Sequence, residues 1–247
     1  MKTYSTIDIG CNIHIEYESL IQNRSSQTFV LSNGFGAFGL NEPLFKGIKQ
    51  KLEQYGCNYI HYLYPERQRE RALFDLTISN GINYLCRVID FLDSLNLKDY
   101  VLFGSSFGAN ISLEVGIQRN VSSLILVNPV IDYTKYRKMQ IGKANYEEWI
   151  LKGTFSFNYN ETLVPLSFRF IQESKSQNLK DRISKIKSPI IAFQGLGDTI
   201  LNYSDLKMVL EPNAKNQVYK LNSGHKIIDD KSINEIFNVI KKTLAIG

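Results

Sequence analysis

Cysteine is scarce in this chain, and the three present, Cys11, Cys57 and Cys86, lie far apart in or near strand and helix patterns. That spacing suits reduced, buried thiols and argues against a disulfide scaffold or a thiolate metal centre. No stretch approaches the ~18 apolar residues of a membrane-spanning helix. Met1 to Asp8 lacks the apolar core of a secretion signal, so a cytosolic protein without a membrane span is expected. Neither sign of charge dominates. The net charge of +5 is spread along the chain, with no long basic run and no RNA-binding aromatic signature, which argues against a nucleic-acid partner. There is no low-complexity linker and no internal repeat, and the 247 residues read as a single α/β domain, 1–247.

The chain does contain an apolar run, Tyr100 to Phe103, leading into Gly104-Ser105-Ser106-Phe107-Gly108 and then into an amphipathic helix carrying Ile111, Val115 and Ile117. A Gly-x-Ser-x-Gly between strand and helix places its serine on a sharp, exposed turn. The two glycines are needed because the reversal brings backbone against backbone. Ser106 is the candidate nucleophile.

A serine needs a base, and only three histidines are present. His14 lies in the alternating Asn12 to Tyr17 and His61 closes the apolar Tyr59 to Leu63, so both have structural explanations. His225 stands in Asn222-Ser223-Gly224-His225, just past the strand-like Gln217 to Leu221, and is placed for proton transfer. The orienting acid is read from Pro189 to Phe193, a buried-strand run ending in Gly195-Leu196-Gly197-Asp198. Asp198 would accept a hydrogen bond from the imidazole and stabilise the imidazolium. Asp132, after the strand Leu124 to Val127, is the alternative acid.

An acyl-transfer site also needs N–H donors for the oxyanion. Thr28 to Ser32 reads as a strand, followed by Asn33-Gly34-Phe35-Gly36-Ala37-Phe38-Gly39, and the amides of Phe35 and Phe107 are the candidate donors. The spacing of Gly34, Gly36 and Gly39 also fits a dinucleotide loop, but that reading needs an acidic residue after the next strand. Here Cys57 to Leu63 runs instead to Pro65 and Glu66. No metal or organic cofactor is required. Helices are expected near Glu42 to Tyr55 and from about Thr77 to Leu95.

These four motifs, in the order oxyanion loop, elbow, acid loop and histidine loop, resemble the α/β-hydrolase superfamily over most of the chain. Within it the chain resembles single-domain bacterial esterases, thioesterases and serine-aminopeptidase-like members, including acyl transferases that release fatty acid from a carrier. The resemblance implies a mostly parallel central sheet flanked by helices, with a cap inserted after the sixth strand over 131–186. The aromatic residues of that stretch, among them Tyr133, Tyr136, Trp149, Phe157 and Phe170, would hold the cap on the main domain and leave a few rings facing the pocket. Two features depart from the superfamily. Asn33-Gly34 replaces the usual His-Gly, and Glu66-Arg67-Gln68-Arg69-Glu70-Arg71 replaces a glycine loop. The charged loop reads as a solvated helix start, or as Arg67, Arg69 or Arg71 contacting an anionic part of the substrate, such as a coenzyme A or carrier phosphopantetheine phosphate.

The function expected is a serine hydrolase acting through an acyl-enzyme on an ester or thioester with a medium or long apolar acyl group. A peptidase or amidase would need an acidic anchor such as Glu147, Glu148 or Glu161. An acyltransferase would differ in admitting an acceptor other than water. A non-catalytic binding module would keep the same residues as a ligand pocket.

Overall fold

The structure, a computed structural model, describes residues 2–11, 13–23, 26–36, 39–65, 74, 76–159, 162–175, 182–199 and 201–246. The chain begins as an antiparallel pair, β1 (Lys2–Asp8) and β2 (His14–Leu20). It continues through β3 (Thr28–Ser32), α1 (Pro43–Gln54), β4 (Asn58–Tyr62), α2 (Ile78–Ser94), β5 (Tyr100–Ser105), α3 (Phe107–Gln118) and β6 (Ser123–Val127). After an excursion it returns as β9 (Ile190–Gly195), α6 (Tyr203–Leu210), β10 (Gln217–Leu221) and α7 (Asp230–Thr243). The sheet order is β1-β2-β4-β3-β5-β6-β9-β10. From β4 to β10 every neighbouring pair is parallel.

Alternation along the central strands separates two cores. Val101 and Phe103 of β5 join the core under α1 and α7 with Phe45, Ile48 and Phe237, while Leu102 joins the core under α2 and α3 with Leu85 and Ile111. Both faces of the sheet are covered, which is why these strands read as continuous apolar runs. Helix α3 differs from the amphipathic helix expected, because Phe107 through Gly116 are all buried. It lies between the sheet and α2, so it has no solvent face. Of its polar residues, Ser112 Oγ donates to Gly108 O at 2.8 Å, Asn110 Oδ1 accepts from Val130 N–H at 2.9 Å, and Glu114 lies 2.7 Å from Arg182. Cys11 also departs from expectation: it is exposed in the β1–β2 turn at φ 55°, whereas Cys57 is buried and Cys86 half-buried.

Between β6 and β9 the chain leaves the sheet to form α4 (Tyr133–Lys152), the hairpin β7 (Thr154–Tyr159) and β8 (Thr162–Ser167), α5 (Arg169–Lys175) and a 3-10 turn at Ile183–Lys185. Helix α4 is broken at Gly142, whose φ of 80° is non-helical. Trp149 is fully buried against Phe155, Phe157 and Phe168, and its Nε1–H donates to Leu166 O at 3.0 Å. Most of the aromatics in this stretch therefore pack the excursion itself. Among the described residues no helix is long and apolar enough to cross a membrane.

One ion pair is buried between sheet and helix. Lys49 Nζ on α1 donates to Glu18 Oε2 on β2 at 2.5 Å and to Leu40 O at 2.8 Å, and Tyr59 on β4 donates to Glu18 Oε1 at 2.7 Å. Burial pushes the Glu18 carboxyl up, and the hydrogen bonds from Lys49 and Tyr59 outweigh it, leaving the group below its ordinary value. Removing one partner strands a charge that has already lost its water. Lys49→Ala is expected to lower the unfolding free energy in urea by about 3–5 kcal/mol; a loss below about 1 kcal/mol would mean the pair behaves like an exposed one.

Candidate active site

The C-terminal ends of the parallel strands β3, β5, β9 and β10, with β6 between β5 and β9, lie at one edge of the sheet, and the loops leaving them carry the candidate residues. At the end of β5, Ser106 is held at φ 50°, ψ −110°, a conformation that side-chain-bearing residues rarely adopt. Close backbone approach forces it there. A Cβ on Gly108 would stand 2.1 Å from Ser32 O, and one on Gly104 would stand 2.3 Å from Gly108 O. Ser106 N–H donates to Val127 O of β6 at 2.8 Å, which fixes the turn from the other side.

The structure brings Ser106, His225 and Asp198 into one chain of contacts. His225 Nδ1 lies 2.6 Å from Asp198 Oδ2, and its Nε2 lies 3.1 Å from Ser106 Oγ. With the carboxylate ionised, Nδ1–H donates to Asp198 and the Nε2 lone pair accepts from the Ser106 hydroxyl. The Asp198 side chain is 1% exposed and that of His225 28%, so the carboxylate is enclosed while the imidazole faces the cleft. Asp198 Oδ1 accepts from Leu201 N–H at 3.0 Å and Oδ2 also from Gln194 Nε2 at 3.4 Å. The acid and histidine loops are joined along their backbones, Gly197 N–H donating to Ser223 O at 2.9 Å. Gly195 permits that approach, since a Cβ there would lie 2.5 Å from Gly224 O. Asp132 is used elsewhere: it caps α4, its Oδ1 accepting from Lys135 N–H at 2.9 Å.

The two candidate oxyanion donors lie on either side of the serine. Phe107 opens α3, where first-turn amides have no intrahelical acceptor and the helix end is electropositive. Phe35 follows Gly34, whose position is so close to the elbow that a Cβ would lie 3.5 Å from Ser106 Cβ. The rings of Phe35 and Phe107 meet edge to face at 5.9 Å, and Phe170 of α5 lies 5.4 Å from Phe35. On that side aromatic rings gather: Tyr133 packs on Phe170 at 5.0 Å, Tyr136 faces His225 at 6.0 Å, and the buried Arg137 guanidinium sits 5.0 Å over Phe35. On the other side a cavity of about 110 Å³ opens beside Ser106, lined by Phe35, Leu44, Phe45, His225 and Ile227, with Glu42 and Lys226 as its charged residues. Ile228 at its edge is 68% exposed.

Sequence reasoning missed Leu44, Ile227 and the work of His61. The first two carry no chemical signature, and their signal is only adjacency to α1 and to His225. Glu147 and Glu148 pair at i,i+4 with Lys143 at 3.7 Å and Lys152 at 2.5 Å on an exposed face of α4. Glu161, Arg67, Arg69 and Arg71 lie outside the described residues.

No family model matches the chain. Among curated proteins it is similar to an acyl transferase of Photobacterium leiognathi, 24% identical over 237 residues that span 90% of this chain and 74% of that protein. Among solved structures it is similar to mouse alpha/beta hydrolase domain-containing protein 10, with a TM-score of 0.81, 17% identity and 98% of each chain covered. It is also similar to a soluble variant of monoglyceride lipase from Saccharomyces cerevisiae, with a TM-score of 0.77, 16% identity and 99% and 96% of the two chains covered. The chain has the α/β-hydrolase fold.

Asn33, where the sequence departs from His-Gly, anchors the loop that carries Phe35. Its Oδ1 accepts from His61 Nε2–H at 2.9 Å, and its main-chain oxygen accepts from Tyr64 OH at 3.1 Å. His61 is fully buried and stacked on Phe45 at 4.7 Å; burial first, then the charge of Lys49, holds its imidazole well below the ordinary value. The unfolded chain takes up a proton near pH 6.5 that the folded chain refuses, so stability falls as the pH drops through about that value. Urea unfolding between about pH 7.5 and about pH 5.5 should show wild type losing more stability than His61→Gln does; equal losses would place the protonation elsewhere.

Proposed function

We propose that the chain is a serine hydrolase that cleaves a carboxylic ester or thioester through an acyl-enzyme on Ser106. The observation that carries the reading is the continuous contact from Asp198 through His225 to Ser106, with Nδ1–Oδ2 at 2.6 Å and Nε2–Oγ at 3.1 Å. Ser106 Oγ attacks the acyl carbon as its proton passes to His225 Nε2, and the N–H groups of Phe35 and Phe107 hold the oxyanion. Each such donor is worth about 3 kcal/mol of transition-state stabilisation. The carbon–oxygen or carbon–sulfur bond then breaks as Nε2–H protonates the leaving group. A water gives a proton to Nε2 and its oxygen to the acyl carbon, releasing the acid and restoring the serine hydroxyl. Asp198 keeps its charge throughout and stabilises the imidazolium.

In this reading residues 1–247 form one domain and 131–186 serve as a cap, with Phe170, Tyr133 and Tyr136 closing the site beside the elbow and the histidine. The cytosolic location and an acyl-carrier or coenzyme A thioester stay part of the proposal. In this reading the acyl group is short, where the sequence suggested a medium or long one, because the cavity beside Ser106 is small. A cavity of about 150 Å³ holds a benzene ring, and the one beside Ser106 is about 110 Å³. Beside Phe35, the rings of Phe107, Phe170 and Tyr133 pack on one another. The likeness to an acyl transferase favours a second reading with the same acyl-enzyme, in which an alcohol, amine or thiol acceptor replaces water.

Turnover of p-nitrophenyl esters tests both levels. Ser106→Ala should lose activity by several orders of magnitude while keeping the wild-type melting temperature. Each methylene that enters the apolar cavity adds up to about 0.8 kcal/mol, so kcat/KM should rise from acetate to butyrate and level or fall by octanoate. A rise continuing through decanoate would contradict the short-acyl assignment, and full activity in Ser106→Ala would contradict the nucleophile. Faster p-nitrophenol release with added small alcohols, accompanied by new ester product, would favour the acceptor reading.

A further inference from the structure

Asn128 follows β6 and is fully buried, at φ 48°. Its carboxamide spans the two loops that carry the acid and the histidine. Oδ1 accepts from Gly195 N–H at 2.8 Å, at the start of the turn that leads to Asp198. Nδ2 donates to His225 O at 2.8 Å and to Gly224 O at 3.3 Å. Its own N–H donates to Phe193 O of β9 at 2.8 Å, so the residue is tied to the sheet from which the acid loop springs. Both side-chain N–H groups and the side-chain oxygen are thus engaged in a site closed to water. Asparagine accepts the left-handed backbone at lower cost than most residues, and its amide is the one neutral side-chain group, shared with glutamine, that offers donors and an acceptor side by side.

We propose that Asn128 is a positioning residue for the proton relay: it sets the separation between the Asp198 turn and the His225 loop, and with it the alignment of the imidazole between carboxylate and hydroxyl. The inference rests on the reading of Ser106, His225 and Asp198 as that relay. The clamp acts on backbone atoms at both ends, so its effect reaches the chemistry through the placement of the imidazole and leaves substrate binding unchanged. A displacement of about 1 Å at a reacting group costs on the order of a hundredfold in rate.

Asn128→Gly removes the carboxamide and still permits a left-handed φ. Asn128→Asp keeps the shape and the acceptor but sets carboxylate oxygens against the Gly224 and His225 carbonyls. For both variants kcat on a p-nitrophenyl ester should fall by about tenfold or more, with KM within about twofold of wild type. Nitrogen NMR of histidine-labelled protein should show His225 wholly as the Nδ1–H tautomer in wild type and as a mixture in the variants. A folded Asn128→Gly that keeps its kcat and the single tautomer would overturn the proposal, even if its melting temperature drops. Should Asn128→Gly not fold, Asn128→Asp is decided by the same two readings. Should wild type hydrolyse no ester, the hydrolase reading fails while the clamp is still judged by the tautomer, and a wild-type imidazole already mixed would overturn it.

Discussion

The structure depends on how closely two stretches of backbone pass at the end of β5. Gly108 leaves its Cα so near the Ser32 carbonyl that even a methyl group has no room, and Gly104 has the same relation to the Gly108 carbonyl. Because helix α3 is pressed into this corner, Ser106 is driven into a positive φ and its hydroxyl stands clear of strand and helix alike. The same approach aims the start of α3 at the space above the serine and brings the Gly34 loop alongside it. Burial of α3 on all sides is what holds the corner shut: the apolar area covered by Phe107 to Gly116 offsets the strain at a single residue.

Polar groups are placed on two sides of that corner. On the acid side Asp198 is enclosed, spread over contacts from His225, Leu201 and Gln194, so it remains an acceptor of hydrogen bonds. Beside Phe35, His61, Asn33 and Tyr64 hold the loop from beneath, with Lys49 and Glu18 close behind. Buried hydrogen bonds of this kind stiffen their surroundings. The residues that must be rigid are therefore tied to the sheet, and the rings of α4 and α5 close the site over them.

Much of this was legible in the residues, for a physical reason. Strand, sharp turn and helix are local, and the glycines that allow close approach have no substitute, so the elbow, the acid turn and the histidine loop could be located by what they contain. The extents of α1 and α2 were close to those expected from the residues. What escaped depends on partners distant in the chain. The strand β1 lies at the sheet's edge and is largely exposed, so it offers no apolar signal. The alternation in Thr154 to Tyr159 was hidden by its aromatic density, and the hairpin it forms with β8 was not foreseen. His61 looked like an ordinary core residue because nothing near it in sequence reveals Asn33, and Asn128 looked like the end of a strand because Gly195 and His225 are far along the chain.

The most direct test of the central claim is the chemistry of the serine at the elbow. Folded protein treated with a fluorophosphonate and digested should carry one covalent adduct, on the peptide containing Ser106, and denatured protein or His225→Ala should carry little or none. Absence of the adduct from folded wild-type protein, or an equal adduct on the His225→Ala variant, would contradict the account of Ser106 as a nucleophile activated by that imidazole.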